Sequence, residues 1–364
     1  MESKSENRTI LFVLPSLDIG GCESQAISLA LMLRNRGWNP IFLLLNNPGI
    51  WTEILDRNSL PWQSFEINIR KNPLKGLIRF FSAGGFVVRV KPAILYSLLL
   101  ESNILGYFLV KLFAKQASHV VGIRGLLQLR NPIVNFLFLQ TANQARLIVL
   151  NSRHLMMNIP TTLDDIAKVI TINNAVHVQD LNEPFSDHIA TFSVLSNFHK
   201  DKGHDLLVEA LLTFKSKIRI HFIGDGPNLE SIKKSASLLP EHIETFFHGS
   251  TTNPFLYLLN SHFLVLPSRH EGFPNAVLEA MSVGLPVICF NIPGLDQLVI
   301  ENQTGVLVEP FDVNSLGLAI RKLASDSNFR MYLGKNAYNK SKEYSWETVA
   351  EKFSHALYLV LEKH

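Results

Sequence analysis

Apolar and polar positions alternate along this chain in two long runs with one shared rhythm: a short apolar stretch, a turn, then a helical stretch. Residues 10–15 form the first apolar strand stretch, and Gly20-Gly21 the turn after it. Residues 23–36 carry helical periodicity, which Gly37 closes. Further strands are expected at 41–45, 62–67, 93–96, 119–123, 147–150 and 168–172, with helical stretches between them.

The rhythm pauses at 175–190, a polar stretch that contains Pro184 and has no period. A second run follows, with strands expected at 191–195, 218–223, 243–247, 263–266 and 287–290. Helices should open near Lys202, Pro227, Pro254, Pro274 and Asp312, and 346–361 reads as a last helix. The expected organisation is an α/β domain over 1–180, a second over 181–345, and a C-terminal helix over 346–364 packing back on the first. Alternation of this kind builds open parallel sheets, whose ligands bind beyond the carboxyl ends of the strands. Two such domains on a short linker leave a deep cleft between them.

Composition narrows the class. The chain has 364 residues and 47% apolar content, enough for two cores. Two cysteines, Cys22 and Cys289, are too few for a disulfide framework and fit a reducing compartment. The first nine residues lack the apolar core of a signal peptide, and no apolar stretch reaches the ~18 residues of a membrane span. The expectation is a soluble cytoplasmic protein. The net charge is +3, but residues 67–160 hold 12 Lys/Arg and one acid, Glu101. The thirteen histidines form no spaced ligand cluster, so no metal and no cofactor are expected.

The segment with the most chemistry runs from Ser268 through Glu271, Gly272, Phe273, Pro274, Asn275 and Glu279 to Pro286. It follows an apolar strand, and Pro274 suits the first turn of a helix. The chain therefore enters a helix N-terminus, whose free N–H groups and partial positive charge suit phosphate. On one continuous helix Glu271 and Glu279 would lie roughly 80° out of line. Glu271 is therefore placed in the loop before the helix and Glu279 in its second turn. Carboxylates repel a diphosphate, so both are suited to accept hydrogen bonds from sugar and ribose hydroxyls.

This segment resembles the donor-binding signature of glycosyltransferase family 4, and the resemblance extends over nearly the whole chain. It implies the GT-B fold, two Rossmann-like open parallel-sheet domains facing across a cleft. It implies that Glu271 contacts the donor sugar, that backbone amides of Gly272 to Asn275 line sugar and phosphate, and that Glu279 holds the ribose. In Asn197-Phe198-His199-Lys200-Asp201-Lys202, Lys202 matches a family lysine that binds the donor diphosphate. Asn197 stands where the family usually has arginine, with His199 and Lys200 as candidates for the missing cation. Gly224-Asp225-Gly226-Pro227 matches a family Gly-x-Gly-Pro, a donor contact or a structural turn. Gly20-Gly21-Cys22-Glu23 matches a Gly-Gly-x-Glu whose backbone, Gly21 foremost, closes on the donor phosphates.

Two family positions are altered. A histidine usual after the fourth strand of the first domain is absent from Tyr96 to Asn103, leaving Glu101 and Ser102 as alternatives to line that pocket. A usual glutamate is replaced near Gln297. His119 reads as a packed or surface residue rather than a base.

The expected activity is transfer of a sugar from a nucleotide-diphosphate sugar, UDP-sugar foremost, to a hydroxyl of a lipid-linked or surface-polysaccharide acceptor. The resemblance implies retention of the anomeric configuration. Glu271 and Lys202 are the residues assigned to the chemistry. Arg124 and Arg130 lie after a strand, where they suit an anionic acceptor. Between 72 and 115, cations are mixed with Leu and Phe, which suits the surface of an anionic membrane at the inner leaflet. No nucleic-acid module is present, so nucleic acid is not an expected partner. A non-catalytic sugar-nucleotide-binding protein and a phosphorylase or epimerase of the same fold are the alternatives. Turnover and phosphate dependence discriminate them.

Overall fold

The computed structural model describes residues 7–67, 72–125, 131–159, 168–181, 185 and 187–362. The chain divides into two compact units, Met1–Asn174 with Trp346–His364, and Ala175–Ser345.

In unit 1 the elements run β1 (Thr9–Leu14), α1 (Gly21–Arg34), β2 (Asn39–Leu44), α2 (Thr52–Arg57), β3 (Trp62–Ser64), α3 (Pro73–Val90), β4 (Ile94–Leu98), α4 (Leu100–Phe113), β5 (Ser118–Ile123), α5 (Pro132–Gln144), β6 (Leu147–Leu150) and β7 (Val169–Thr171). The seven strands pair in the order β3-β2-β1-β4-β5-β6-β7, all parallel. The inner strands β4, β5 and β6 are wholly buried, as expected of a sheet covered on both faces. Phe12 stacks on Phe42 at 5.0 Å and meets Tyr96 edge-on at 5.5 Å, joining β1, β2 and β4 through their side chains.

Unit 2 runs β8 (Ala190–Leu195), α6 (His204–Leu211), β9 (Ile218–Ile223), α7 (Leu229–Ala236), β10 (Ile243–Phe247), α8 (Phe255–Leu258), β11 (Phe263–Leu266), α9 (Asn275–Ser282), β12 (Val287–Phe290), β13 (Gly305–Val308), α10 (Val313–Ser325) and α11 (Ser327–Ser341). Its six parallel strands take the order β10-β9-β8-β11-β12-β13. Phe192 of β8 and Phe263 of β11 stack at 5.1 Å at the centre.

The last helix, α12 (Trp346–Glu362), belongs to unit 1. Trp38 after α1 donates its indole N–H to Ser354 Oγ at 3.0 Å, and its ring lies 5.2 Å from that of Tyr358. Phe353 lies 5.0 Å from Tyr96. A chain segment from beyond unit 2 thus completes the core of unit 1.

Several boundaries differ from the sequence pattern, each for a local reason. The division between units falls at Asn174/Ala175 rather than 180/181. β3 stops at Ser64, because Glu66 turns the chain with φ 48°. The helix expected near Lys202 opens at His204, after a 3-10 turn over Lys200–Lys202 and Gly203 at φ 69°. Pro274 is the N-cap of α9, with extended ψ 119°, rather than its first helical residue. β13 and α11 were not anticipated. β13 is only four residues long. α11 follows α10 at once, opened by Asp326, whose side chain accepts from the Phe329 amide at 2.9 Å. Arg130 and Pro184 lie outside the described residues.

Candidate functional site

The strand order of unit 2 reverses between β8 and β11, so the loops leaving their carboxyl ends diverge and open a crevice there. Those two loops carry the two strongest sequence motifs. The loop after β8 holds Asn197 to Lys202, and the loop after β11 holds Ser268 to Phe273.

Lys202 and Glu271 meet in that crevice. Lys202 Nζ lies 2.8 Å from Glu271 Oε1, and Ser268 Oγ donates to the same oxygen at 2.7 Å. The Glu271 side chain is 7% exposed and that of Lys202 27%. A carboxylate so enclosed is tolerated only because a cation and a hydroxyl both address it. A second contact ties the same two loops. Arg269 donates to Asp205 through both terminal nitrogens, at 2.8 and 2.7 Å, and to the Lys200 carbonyl at 2.7 Å. This fork holds the Asp205 carboxyl below its usual range. Arg269 is thereby spent on structure and does not replace the arginine missing at 197.

Asn197 is exposed, as are His199 and Lys200. The N-cap of α9, Pro274, offers no side-chain acceptor to the start of this helix. Gly272 is half-buried in the approach, and Phe273 is buried with its ring 5.5 Å from Tyr344. Asn275 is the first helical residue and Glu279 the fifth, in the second turn. Burial pushes the Glu279 carboxyl up to about 7. The side chain is half-buried and accepts no hydrogen bond among the described residues, so it is an acceptor suited to hydroxyl groups.

The glycines of Gly224-Asp225-Gly226 have a structural reason for being glycine. A Cβ on Gly224 (φ 140°) would stand 2.1 Å from the Ser196 carbonyl oxygen, and one on Gly226 (φ 154°) 2.8 Å from Phe198 backbone atoms. Phe198 N–H donates to the Asp225 carbonyl at 2.9 Å, and Asn228 N–H to that of Phe198 at 2.9 Å. This turn clamps the loop that carries Lys202. Gly203 does the same from the other side, since its Cβ would stand 1.9 Å from the Pro267 carbonyl oxygen. His204 stacks on Phe198 at 4.2 Å, and burial lowers its pKa to about 4, keeping it neutral as a packing residue.

In unit 1 the corresponding reversal lies between β1 and β4. Gly21 is exposed as the first residue of α1, after an extended Gly20. Arg124, at the end of β5, donates to Tyr96 Oη at 2.6 Å and to Asn174 Oδ1 at 3.0 Å. Its charge lowers the pKa of the Cys22 thiol, but burial outweighs it and drives that pKa to about 12. Cys22 is therefore a neutral thiol. The structure places Arg124 beside the start of α1, with neutral partners, and Glu101 exposed on the first turn of α4. Ser102 is buried, with its Oγ unpartnered among the described residues.

Sequence reading missed Ser268 as the clamp on Glu271 and Arg269–Asp205 as the strut between loops. It also missed Leu99, which joins β4 to α4 at φ 72° and ψ 156°, a conformation that side-chain-bearing residues rarely adopt. His119 is buried, the packed one of the two placements expected for it. Asn103 Nδ2 donates to the Gly122 carbonyl, so its Oδ1 accepts from Ser97 Oγ at 2.8 Å. Ser97 Oγ then accepts from His119 Nε2 at 2.8 Å.

Residues 182–340 match the family model described as Glycosyl transferases group 1. The match covers 159 of the 364 residues, and within it the chain is similar to that family. The chain is 29% identical over 236 residues to an uncharacterized glycosyltransferase of Methanocaldococcus jannaschii, covering 63% of this chain and 65% of that one. It is 24% identical over 234 residues to the N-acetylgalactosamine-N,N'-diacetylbacillosaminyl-diphospho-undecaprenol 4-alpha-N-acetylgalactosaminyltransferase of Campylobacter jejuni, covering 60% of this chain and 62% of that one. The chain thus spans less than two thirds of the length of these curated relatives. Among solved structures, HepE of Anabaena in complex with UDP and glucose superimposes with a TM-score of 0.82 at 17% identity, over 96% of this chain and 98% of that one. The two Rossmann-like parallel-sheet units have the GT-B fold. The matched segment contains the whole Lys202–Glu271 site.

Proposed function

We propose that this protein is a retaining glycosyltransferase of family 4. It moves a sugar from a UDP-sugar to a hydroxyl of a lipid-linked or polysaccharide acceptor at the inner face of an anionic membrane. The observation that carries this reading is the clamp of Lys202 and Ser268 on Glu271 beside the start of α9. Support for the donor and acceptor classes comes from relatives named for such acceptors and from the UDP and glucose held by HepE.

In the proposed reaction Glu271 accepts hydrogen bonds from the donor sugar and Glu279 from the ribose. Gly21 and the amides of Gly272 to Asn275 lie along the diphosphate. Asn197, Gly224 and Gly226 shape the pocket, the glycines by holding the Lys202 loop. The bond from the anomeric carbon to the diphosphate oxygen breaks, and a bond to the acceptor oxygen forms on the same face. The acceptor proton passes to the departing diphosphate, and UDP leaves. Charge that develops on the leaving group is met by Lys202 and the α9 amides rather than by a metal. Arg124, Arg130 and Glu101 are assigned to the acceptor side.

Purified protein incubated with UDP-sugars and a polyprenyl-diphosphate saccharide tests the reading. Product with a retained anomer by NMR, at a rate unchanged by chelator, is expected. An inverted linkage rejects the same-face route, and a chelator-sensitive rate rejects the metal-free one. The exposed Asn197 in the place of a phosphate-binding arginine favours, as a second reading, donor binding without turnover. Transfer in the purified sample eliminates it.

A further inference from the structure

Helix α3 is apolar on two faces. Phe80, Ala83 and Val87 turn to the core of unit 1. Leu74, Leu77, Ile78, Phe81 and Val88 form a second stripe, 49–70% exposed, at spacings of 3, 4, 7 and 14 residues from Leu74. Helical spacing places these five on one side. Lys75, Arg79 and Arg89 run along the flank of that stripe, and only Arg79 has a carboxylate partner among the described residues, Glu66. A surface helix of a globular protein needs one apolar face, so the second is unexplained by folding.

The stripe leads to an open cavity. Phe81 meets Phe113 at the end of α4 edge-on at 5.8 Å. Beside that end lies a cavity of about 600 Å³, lined by Lys111, Leu112, Lys115, His119, Gln144 and Arg146 among others, and by no carboxylate. Leu112, Lys111, Lys115 and Arg146 are exposed. Lys111 Nζ donates to Tyr107 Oη at 2.9 Å, a neutral partner that leaves its charge uncompensated. The cavity sits at the amino ends of β5 and β6, the opposite end of the sheet from Gly21 and Arg124.

We infer that this is a lipid-docking surface, with the phosphate headgroup of an anionic lipid held by Lys111, Lys115 and Arg146 and acyl chains lying along Leu112 and the outer stripe of α3. Charge complementarity selects the occupant. A protein groove of this apolar character needs no cluster of uncompensated cations, whereas an anionic leaflet offers both a negative plane and hydrocarbon beneath it. The inference rests on the proposed membrane location and gives it residues.

Co-sedimentation of the full chain with phosphatidylcholine vesicles, with and without 30% phosphatidylglycerol, tests it at low and at high salt. Binding is expected only with phosphatidylglycerol, and weaker in high salt. A triple variant Lys111→Glu, Lys115→Glu, Arg146→Glu should bind at least roughly tenfold more weakly, as should Leu77→Ser with Phe81→Ser, while Lys234→Glu in α7 binds as before. Stabilisation by UDP, read by thermal shift, should be the same in all of them and reports that each is folded. Equal vesicle binding by both surface variants overturns this surface and leaves the membrane location standing. No vesicle binding by the unaltered protein overturns both. Stabilisation by inorganic phosphate that the triple variant loses, with vesicle binding intact, makes the cavity a site for soluble anions and overturns the lipid assignment.

Discussion

Lys202 Nζ stands 2.8 Å from Glu271 Oε1, across two loops separated by 69 residues of sequence. The pair couples a cation assigned to the diphosphate with a carboxylate assigned to the sugar. If both act on the donor, the two variants should not be independent. Glu271→Ala and Lys202→Ala should each lower transfer by about 100-fold or more, and the double variant should lose far less than the product of the two. Full activity of Glu271→Ala in a kcat/KM measurement removes Glu271 from the site. Lys202→Ala, which leaves the enclosed Glu271 carboxylate without its cation, should also cost about 1–3 kcal/mol of stability.

Glu279 gives a pH dependence. Its carboxyl is driven from its ordinary value up to about 7 by burial. A raised folded-state pKa means that the protonated form is favoured on folding, so this contribution is complete below the unfolded value and is lost as pH rises toward 7. Urea denaturation from pH 4.5 to 8 should show the native protein losing on the order of 2–3 kcal/mol relative to Glu279→Gln. A difference between the two proteins that does not change with pH contradicts the raised carboxyl pKa. Donor affinity should move the opposite way, rising through pH 7 as the stronger acceptor forms.

Gly224 and Gly203 hold the Lys202 loop by close approach. Gly224→Ala would place a methyl 2.1 Å from the Ser196 carbonyl oxygen, and Gly203→Ala one at 1.9 Å from that of Pro267, both at positive φ. Each should lower stability by about 2–4 kcal/mol and weaken donor binding through displacement of the loop. Thermal denaturation of both variants checks this. Melting temperatures equal to that of the unaltered protein would mean the loops have room to spare.

Phe353 links the end of the chain to the first domain. It is 1% exposed and lies against Tyr96. Phe353→Ala should cost about 3–5 kcal/mol. Hydrogen exchange should report that loss in β1, β4 and α1 of unit 1 rather than in unit 2. Equal loosening of both units would show that α12 is not a private part of the first.

What the amino-acid sequence determined here is whatever depends on neighbours along the chain. Period and turn residues marked β1, β4, β5, β6, β8, β11, β12 and most helices, because a strand buried on both faces is a run of apolar residues whatever surrounds it. The segment Ser268–Pro286 and the motif around Lys202 were legible for the same reason. β13, only four residues long, and α11, which follows α10 with no loop between them, were not. Tertiary structure decided which separate motifs meet. The β8/β11 reversal brings Lys202 to Glu271, and the loop of Ser196 to Phe198 fixes Gly224 and Gly226 as packing residues. Arg269 goes to Asp205 rather than to the gap at Asn197. The same holds for the second apolar face of α3, since spacing alone gives two stripes and only packing against the sheet tells which one is left in the open.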